Sequence, residues 1–290
     1  MNAAKLFDHI NKLAITVISL MCTLPLLLVF IVSFTDERAI QVHGYSFFPE
    51  KISLDAYKLL FTGNSPLFQS YFISIVVTVV GTLLAVSITF MAGYTLVAKH
   101  VKYRNALAIF FFITMVFNTG LVPWYMMSTS LGLKNNIWAL IIPTLVFNPF
   151  NLFLVKNFMK QIPDSLIEAA KVDGANDFYI AFRIYFPLCM PVLATITLFY
   201  GIAYWNNWFN AIMLVDRPDL YPLQYLLFKL NSEISMIQQM QGTAAAASAT
   251  LPNESVKMAT AILTIGPIIL FYPFLQRYFV KGLLIGSVKE

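Results

Sequence analysis

The sequence predicts an all-α membrane protein with six transmembrane helices, and three observations carry that prediction. Of 290 residues, 59% are hydrophobic and only 11% are charged, whereas a soluble domain carries about a quarter charged residues. Mean hydropathy is +0.72. The apolar residues are gathered into runs of the length, about 20 residues, that a helix needs to cross a bilayer. Helices follow because lipid offers no partner to an unpaired backbone group.

The first run, roughly 13–34, follows Lys5 and Lys12 as the core of a signal peptide would. It is longer than such a core and no small-residue cleavage site follows, so an uncleaved first helix is expected. Residues 35–69 hold Pro49, Gly63 and Pro66 and read as an extended connection. The second and third runs, roughly 70–98 and 105–127, flank the tight basic turn Lys99-His100-Val101-Lys102-Tyr103-Arg104. The fourth run is roughly 137–155, the fifth 187–214 and the sixth 259–280. Between the last two lies a long connection, 215–258, with Arg217-Pro218, Tyr221-Pro222 and a low-complexity Gly/Thr/Ala/Ser run over 242–249. Both long connections either touch an extracellular partner or only join helices. Pro25, Pro123, Pro143, Pro149, Pro191, Pro267 and Pro273 interrupt the apolar runs and predict kinks or hinges.

The net charge of +5 does not point to nucleic acid, because the basic residues sit between apolar runs and not in one patch. They read as topology signals. With both termini inside, the cytoplasmic side holds Lys5, Lys12, Lys99, Lys102, Arg104, Lys156, Lys160, Lys171, Arg183, Arg277, Lys281 and Lys289. The outer side holds the smaller set Arg38, Lys51, Lys58, Lys134, Arg217, Lys229 and Lys257. Cys22 and Cys189 lie in or beside apolar runs and read as inert thiols, not as a disulfide or metal pair.

One cytoplasmic segment, 161–187, is built differently from the rest. Pro163 suits the first position of a short helix, Asp164 favours its positive end, and Gly174 suits its stop. Leu166, Ala169 and Ala170 form a narrow stripe of small residues that packs either on the chain's own helix ends or against another protein. A second short helix is expected from about Asn176, with Phe178 and Phe182 on one face. No Gly is followed by Lys, so the chain lacks a phosphate-cradling loop of the G-x-x-x-x-G-K-[ST] kind.

Polar and aromatic residues inside the runs mark a candidate path for a polar cargo: Asn118, Trp124, Asn148, Asn151, Tyr204, Trp205, Asn206, Asn207 and Asn210. Aromatic faces stack on sugar rings and amides bond hydroxyls. The same residues also serve as glue between membrane helices. A secondary transporter would carry an ionisable residue near a span centre, and none is found there. An intramembrane enzyme would cluster His, Asp or Glu within the spans, whereas His9, His43 and His100 all fall in aqueous segments.

The order Glu168-Ala169-Ala170, three residues, Gly174-Ala175, then Ile184 and Pro187 resembles the EAA loop of ABC-importer permeases, with Phe186 where that family usually has Leu. The resemblance runs nearly end to end. It is nearest to the carbohydrate-type, maltose-permease-like branch and its LplC/YtcP group. Trp205-Asn206-Asn207-Trp208, the stretch 251–259 and the tail Tyr278-Phe279-Val280-Lys281-Gly282-Leu283 contribute to it. It implies the MetI-like fold of type I importers and an oligosaccharide cargo, with a peptide or polyamine cargo as the alternative. It implies a second homologous permease subunit, two cytoplasmic ATPase subunits that bind the ATP and Mg, and an extracellular or periplasmic solute-binding protein. It makes Glu168, Ala169, Ala170, Asp173 and Gly174 the docking surface for the ATPase. It places the chain in a bacterial inner membrane with no cofactor of its own.

Overall fold

The computed structural model of the chain describes residues 3–61, 67–117, 119–143, 145–241, 254–267 and 269. Among these every regular element is helical, and the chain forms two compact units. One comprises the described residues up to Leu67 together with Leu227–Pro267, and the other runs from Phe68 to Leu226. Two helices, Phe7–Ser33 and Leu67–Val97, are each long and apolar enough to cross a membrane, and up to four spans result if each bent helix pair counts as one.

The first unit opens with α1 (Ala3–Ser33), which contains Pro25. Phe7, Leu13, Val17, Leu20, Met21 and Leu24 are all exposed, a continuous apolar surface of the kind that lipid covers. The following connection is more ordered than its Pro and Gly content suggests. It contains α2 (Glu37–His43) and α3 (Asp55–Phe61), held by an antiparallel bridge between Thr35 and Ile52. Asp36 caps α2 by accepting from the Arg38 N–H, and it pairs with Lys51 at 3.1 Å. The hydrogen bond from Lys51 holds the Asp36 carboxyl below the usual carboxylate range.

Glu37 is buried although charged. Its carboxylate accepts from the backbone N–H groups of Glu254 and Ser255 at 3.1 and 3.0 Å and from the Ser255 hydroxyl at 2.9 Å. These donors belong to the first turn of a helix over 254–267, whose orphan N–H groups and positive dipole end need an anion. Tyr45 donates to Glu254 at 2.7 Å, and that bond pushes the tyrosine pKa up to about 12. The remainder of the expected sixth run lies outside the described residues, as do Arg277 and the tail 278–283.

The second unit is organised around α4 (Leu67–Val97). It continues with α5 (Arg104–Val116), α6 (Leu121–Ser130), α7 (Trp138–Ile141), α8 (Pro149–Met159), α9 (Asp164–Val172) and α10 (Asp177–Tyr179). After a π-helical turn, Ile180–Tyr185, come α11 (Phe186–Leu188), α12 (Met190–Trp205), α13 (Phe209–Leu214) and the first turn of α14 (Leu223–Gln241), whose remainder from Leu227 belongs to the first unit. The core includes Ile73, Val77 and Ala85 of α4, Val155 and Met159 of α8, and Leu193, Ile196 and Tyr200 of α12. Close approach is enforced at Gly81, where a Cβ would fall 2.5–2.8 Å from three atoms of the Tyr204 ring.

The runs read as continuous spans at 105–127, 137–155 and 187–214 are each divided. Gly120, at φ +81° before α6, takes a left-handed conformation that no helix continues. Pro143 and Pro149 bound the break between α7 and α8, because each lacks an N–H and clashes with the preceding turn. In the fifth run the chain turns by 80° between the helical stretch ending at Leu188 and α12, beside Pro191. It breaks again at Asn206 and Asn207, where the Asn207 side chain accepts from the Asn210 N–H that starts α13. Sequence reading also left α14 inside a connection. Its inward stripe, Leu223, Leu226 and Leu227, has helical spacing, and Ser74 of α4 accepts the Leu223 N–H at 2.7 Å.

Candidate functional site

The spacing of the 161–187 segment has a direct structural cause. Pro163 stands as the cap just before α9, and Asp164 opens the helix. Gly174 has φ +79° and donates its N–H to the Lys171 carbonyl at 3.1 Å, while Ala175 donates to the Ala170 carbonyl at 2.9 Å. This paired 5→2 and 6→1 closure is a Schellman stop. It fixes the distance from the two alanines to the glycine and to the residue after it. Nothing lies within 4 Å of a Cβ at Gly174, so its requirement for glycine is conformational, not steric.

Ile167 and Ala170 face the core and seat α9. Leu166, Glu168, Ala169, Val172 and Asp173 are exposed, with Leu166 at 47% and Val172 at 87% of full exposure. The stripe read from the sequence therefore divides: Ala170 turns inward, and Leu166 and Ala169 turn outward. Exposed apolar side chains flanking a small residue leave a helix face on which another surface can lie closely.

Behind that face the segment is tied to the end of α4. Lys99 pairs with Asp164 at 2.6 Å, and His100 contacts Asp177 at 3.3 Å. Tyr94 donates to the other oxygen of Asp177 at 3.2 Å and packs edge-on against Tyr185. Asn176 caps α10 by accepting from the Tyr179 N–H. The expected pairing of Phe178 with Phe182 is replaced by a different cluster. The wide π turn brings Phe182 and Phe186 onto Phe90 of α4, with centroids 5.8 and 5.4 Å away, and leaves Phe178 exposed. π turns inside helices occur frequently at functional positions.

The candidate polar path separates into two sets. Tyr204, Asn207 and Asn210 donate to the carbonyls of Ile141, Leu140 and Pro143 at 2.9, 3.4 and 3.0 Å. Those carbonyls belong to the last turn of α7 and the residues just after it, where a helix terminus offers acceptors to side chains. In this fold the three side chains supply donors around that helix end. Asn206 bonds to Ile202 and accepts from Gln224, Trp205 is buried beside Tyr71, and Trp124 packs on Phe209 at 5.5 Å. The Trp124 indole N–H is buried with no acceptor among the described residues.

Asn148 and Asn151 belong to the second set. They line a cavity of about 220 Å³ together with Leu145, Phe150, Phe199, Tyr200 and Ala203. Asn148 caps α8 by accepting from the Phe150 N–H at 2.9 Å, and its own N–H goes to the Tyr200 hydroxyl at 3.1 Å. Thr89 shares a further bond with that hydroxyl at 2.8 Å. Sequence reading missed Tyr200. The signal was a tyrosine one turn before Tyr204 on the same helix. Asn118 lies outside the described residues.

Residues 83–285 match the family described as binding-protein-dependent transport system inner membrane component. The chain is 38% identical to Protein LplC of Bacillus subtilis, over 99% of this chain and 96% of that one. It is 36% identical to the polygalacturonan/rhamnogalacturonan transport system permease protein YtcP of Bacillus subtilis, over 98% and 99%. A chain in the crystal structure of a bacterial ABC transporter involved in the import of the acidic polysaccharide alginate superposes with a TM-score of 0.84 and 30% identity, covering 96% of this chain and 98% of that one. By the extent of that match and of those identities, this chain belongs to the family of binding-protein-dependent transport system inner membrane components, the MetI-like permeases of ABC importers.

Proposed function

We propose that this chain is one of two permease subunits in an ATP-driven importer of an oligosaccharide. Its α9 face receives mechanical work from a separate cytoplasmic ATPase. The observation that carries the reading is the outward face of Leu166, Glu168, Ala169 and Val172 on a helix seated from behind by Ile167 and Ala170. Glu168 offers a carboxylate to a basic group of the ATPase, and Ala169 lets the two backbones approach. The partners are a second permease, two ATPase subunits holding ATP and Mg, and an extracellular or periplasmic binding protein that delivers the sugar. Both termini lie in the cytoplasm of a bacterial cell, with the basic turn at Lys99–Arg104 on the same side.

Movement of α9 is passed on by rigid contacts. Asp164 pulls on Lys99, Asp177 on Tyr94 and His100, and the π turn on Phe90. All three lead into α4, and α11 leads into α12. The cavity lined by Asn148, Asn151, Phe199 and Tyr200 lies between the start of α8 and α12 and offers amides and aromatic faces to a sugar. The relatives named for polygalacturonan, rhamnogalacturonan and alginate support a carbohydrate cargo.

The experiment is purification of the assembled importer with its binding protein, followed by ATPase assays over a panel of oligosaccharides. Stimulation by a subset of these sugars is expected. Stimulation only by peptides, amino acids or polyamines overturns the sugar assignment.

A further inference from the structure

We infer that the cytoplasmic ends of α4, α5 and α8 form a binding site for an anionic phosphate group. A cavity of about 240 Å³ opens there, and Lys99 from the turn after α4, Arg104 from the start of α5, and Lys156 and Lys160 from the end of α8 converge on it. At about 30 Å³ per water molecule, that space holds a phosphate and part of an ester substituent. The one acidic residue in its lining is Asp164, and its carboxylate is engaged with Lys99 at 2.6 Å.

The other three cations have no carboxylate partner among the described residues. Arg104 donates one N–H to the Val97 carbonyl at 3.3 Å, which leaves most of its five donors for another acceptor. The Lys156 ammonium lies 5.2 Å from the Phe153 ring and feels the charges of Lys160 and Arg104. Like charges crowded on a concave, partly dehydrated surface repel one another unless an anion joins them. The positive-inside rule accounts for cations near these helix ends, but not for their convergence on one cavity.

The chemistry favours phosphate. A guanidinium meets two phosphate oxygens at once, and ammonium groups add point charges. Leu96, Met159 and Tyr185 supply an apolar floor suited to the carbon skeleton of a phosphate ester. A membrane lipid headgroup and a soluble phosphate ester both fit this description. A bound anion also competes with Asp164 for Lys99, so occupancy would bear on the seat of α9. That last consequence rests on the coupling role proposed above, whereas the binding itself does not.

The test is native mass spectrometry of the intact, delipidated importer. One arm titrates phosphatidylglycerol against phosphatidylcholine, and a second titrates glycerol 3-phosphate. The variant K156Q/K160Q is compared with K12Q/K102Q, which removes the same charge away from the cavity. Losing two charge-assisted bonds is expected to weaken retention at least about tenfold, with the control unchanged. Loss confined to phosphatidylglycerol identifies a lipid site, and loss confined to glycerol 3-phosphate identifies a soluble ligand. Arg104→Gln repeats the measurement if the double variant does not assemble. Equal retention by cavity and control variants, or no binding of either probe, overturns the proposal. No ATP turnover is read, so a failure of the coupling role leaves this result standing.

Discussion

Replacing Gly81 with Ala places a methyl 2.5 Å from the Tyr204 ring, where ordinary contact begins at 3.4 Å. The ring cannot easily retreat, because its hydroxyl is bonded to the Ile141 carbonyl at 2.9 Å and the residue is buried. Overpacking of this kind costs roughly 1–3 kcal/mol, partly offset by the gain of up to about 1 kcal/mol that Ala brings over Gly in a helix. With the full helix gain the net loss is up to about 2 kcal/mol, read as a lower thermal midpoint of the purified protein in detergent. Gly201→Ala is the internal control. The nearest atom to its Cβ is Thr82 Oγ1 at 3.9 Å, so only the helix gain remains and stability should hold or rise. Tyr204→Phe unties the ring, and the double variant should recover about 0.5 kcal/mol or more relative to additivity. If Gly81→Ala proves as stable as Gly201→Ala, the close packing of α4 on α12 is wrong.

Glu37→Gln removes the charge that three donors of the 254–267 helix share. A loss of about 2–3 kcal/mol is expected, seen as a lower midpoint and faster proteolysis of the connection that holds α2 and α3. Asp216 is held below the usual carboxylate range first by the hydrogen bond from Lys134 and then by that from Asn135. Because its folded pKa is depressed, its contribution is present at neutral pH and is lost as pH falls below about 4, the ordinary carboxylate value. The stability difference between wild type and Asp216→Asn should therefore shrink on acidification, and a difference that grows at low pH contradicts the pairing. Glu168→Lys and Gly174→Pro should each abolish sugar uptake while immunoblots of membranes show normal levels. Gly174→Ala, strained only by its φ of +79°, should cost about 1 kcal/mol and reduce uptake only partly.

The helical, membrane-embedded class is legible because lipid leaves no other backbone solution, and the apolar runs at 13–34 and 70–98 correspond to α1 and α4. The breaks are less legible. Proline marks a kink but not which side chains reach the carbonyls beside it, and here Tyr204, Asn207 and Asn210 donate to carbonyls more than 60 residues away. Sequence alone does not separate a cargo path from helix glue at these residues, because a donor to substrate and a donor to a helix end have the same side chain. The α9 stop was readable from Gly174 because the Schellman closure is local. Which alanine faces outward was not, because that depends on the core beneath Ala170. Glu37 escaped notice for a similar reason: its partners lie 217 and 218 residues further along the chain.

Accessibility of a single cysteine on α9 tests the central claim most directly. With Cys22 and Cys189 replaced by Ala, Ala169→Cys is treated with a membrane-impermeant maleimide in intact cells and in opened membranes. The exposed face should remain unlabelled in intact cells, react once the inner side is reached, and become protected when the ATPase subunits are bound. Labelling in intact cells, or full reactivity in the assembled importer, would contradict a face that docks a cytoplasmic motor.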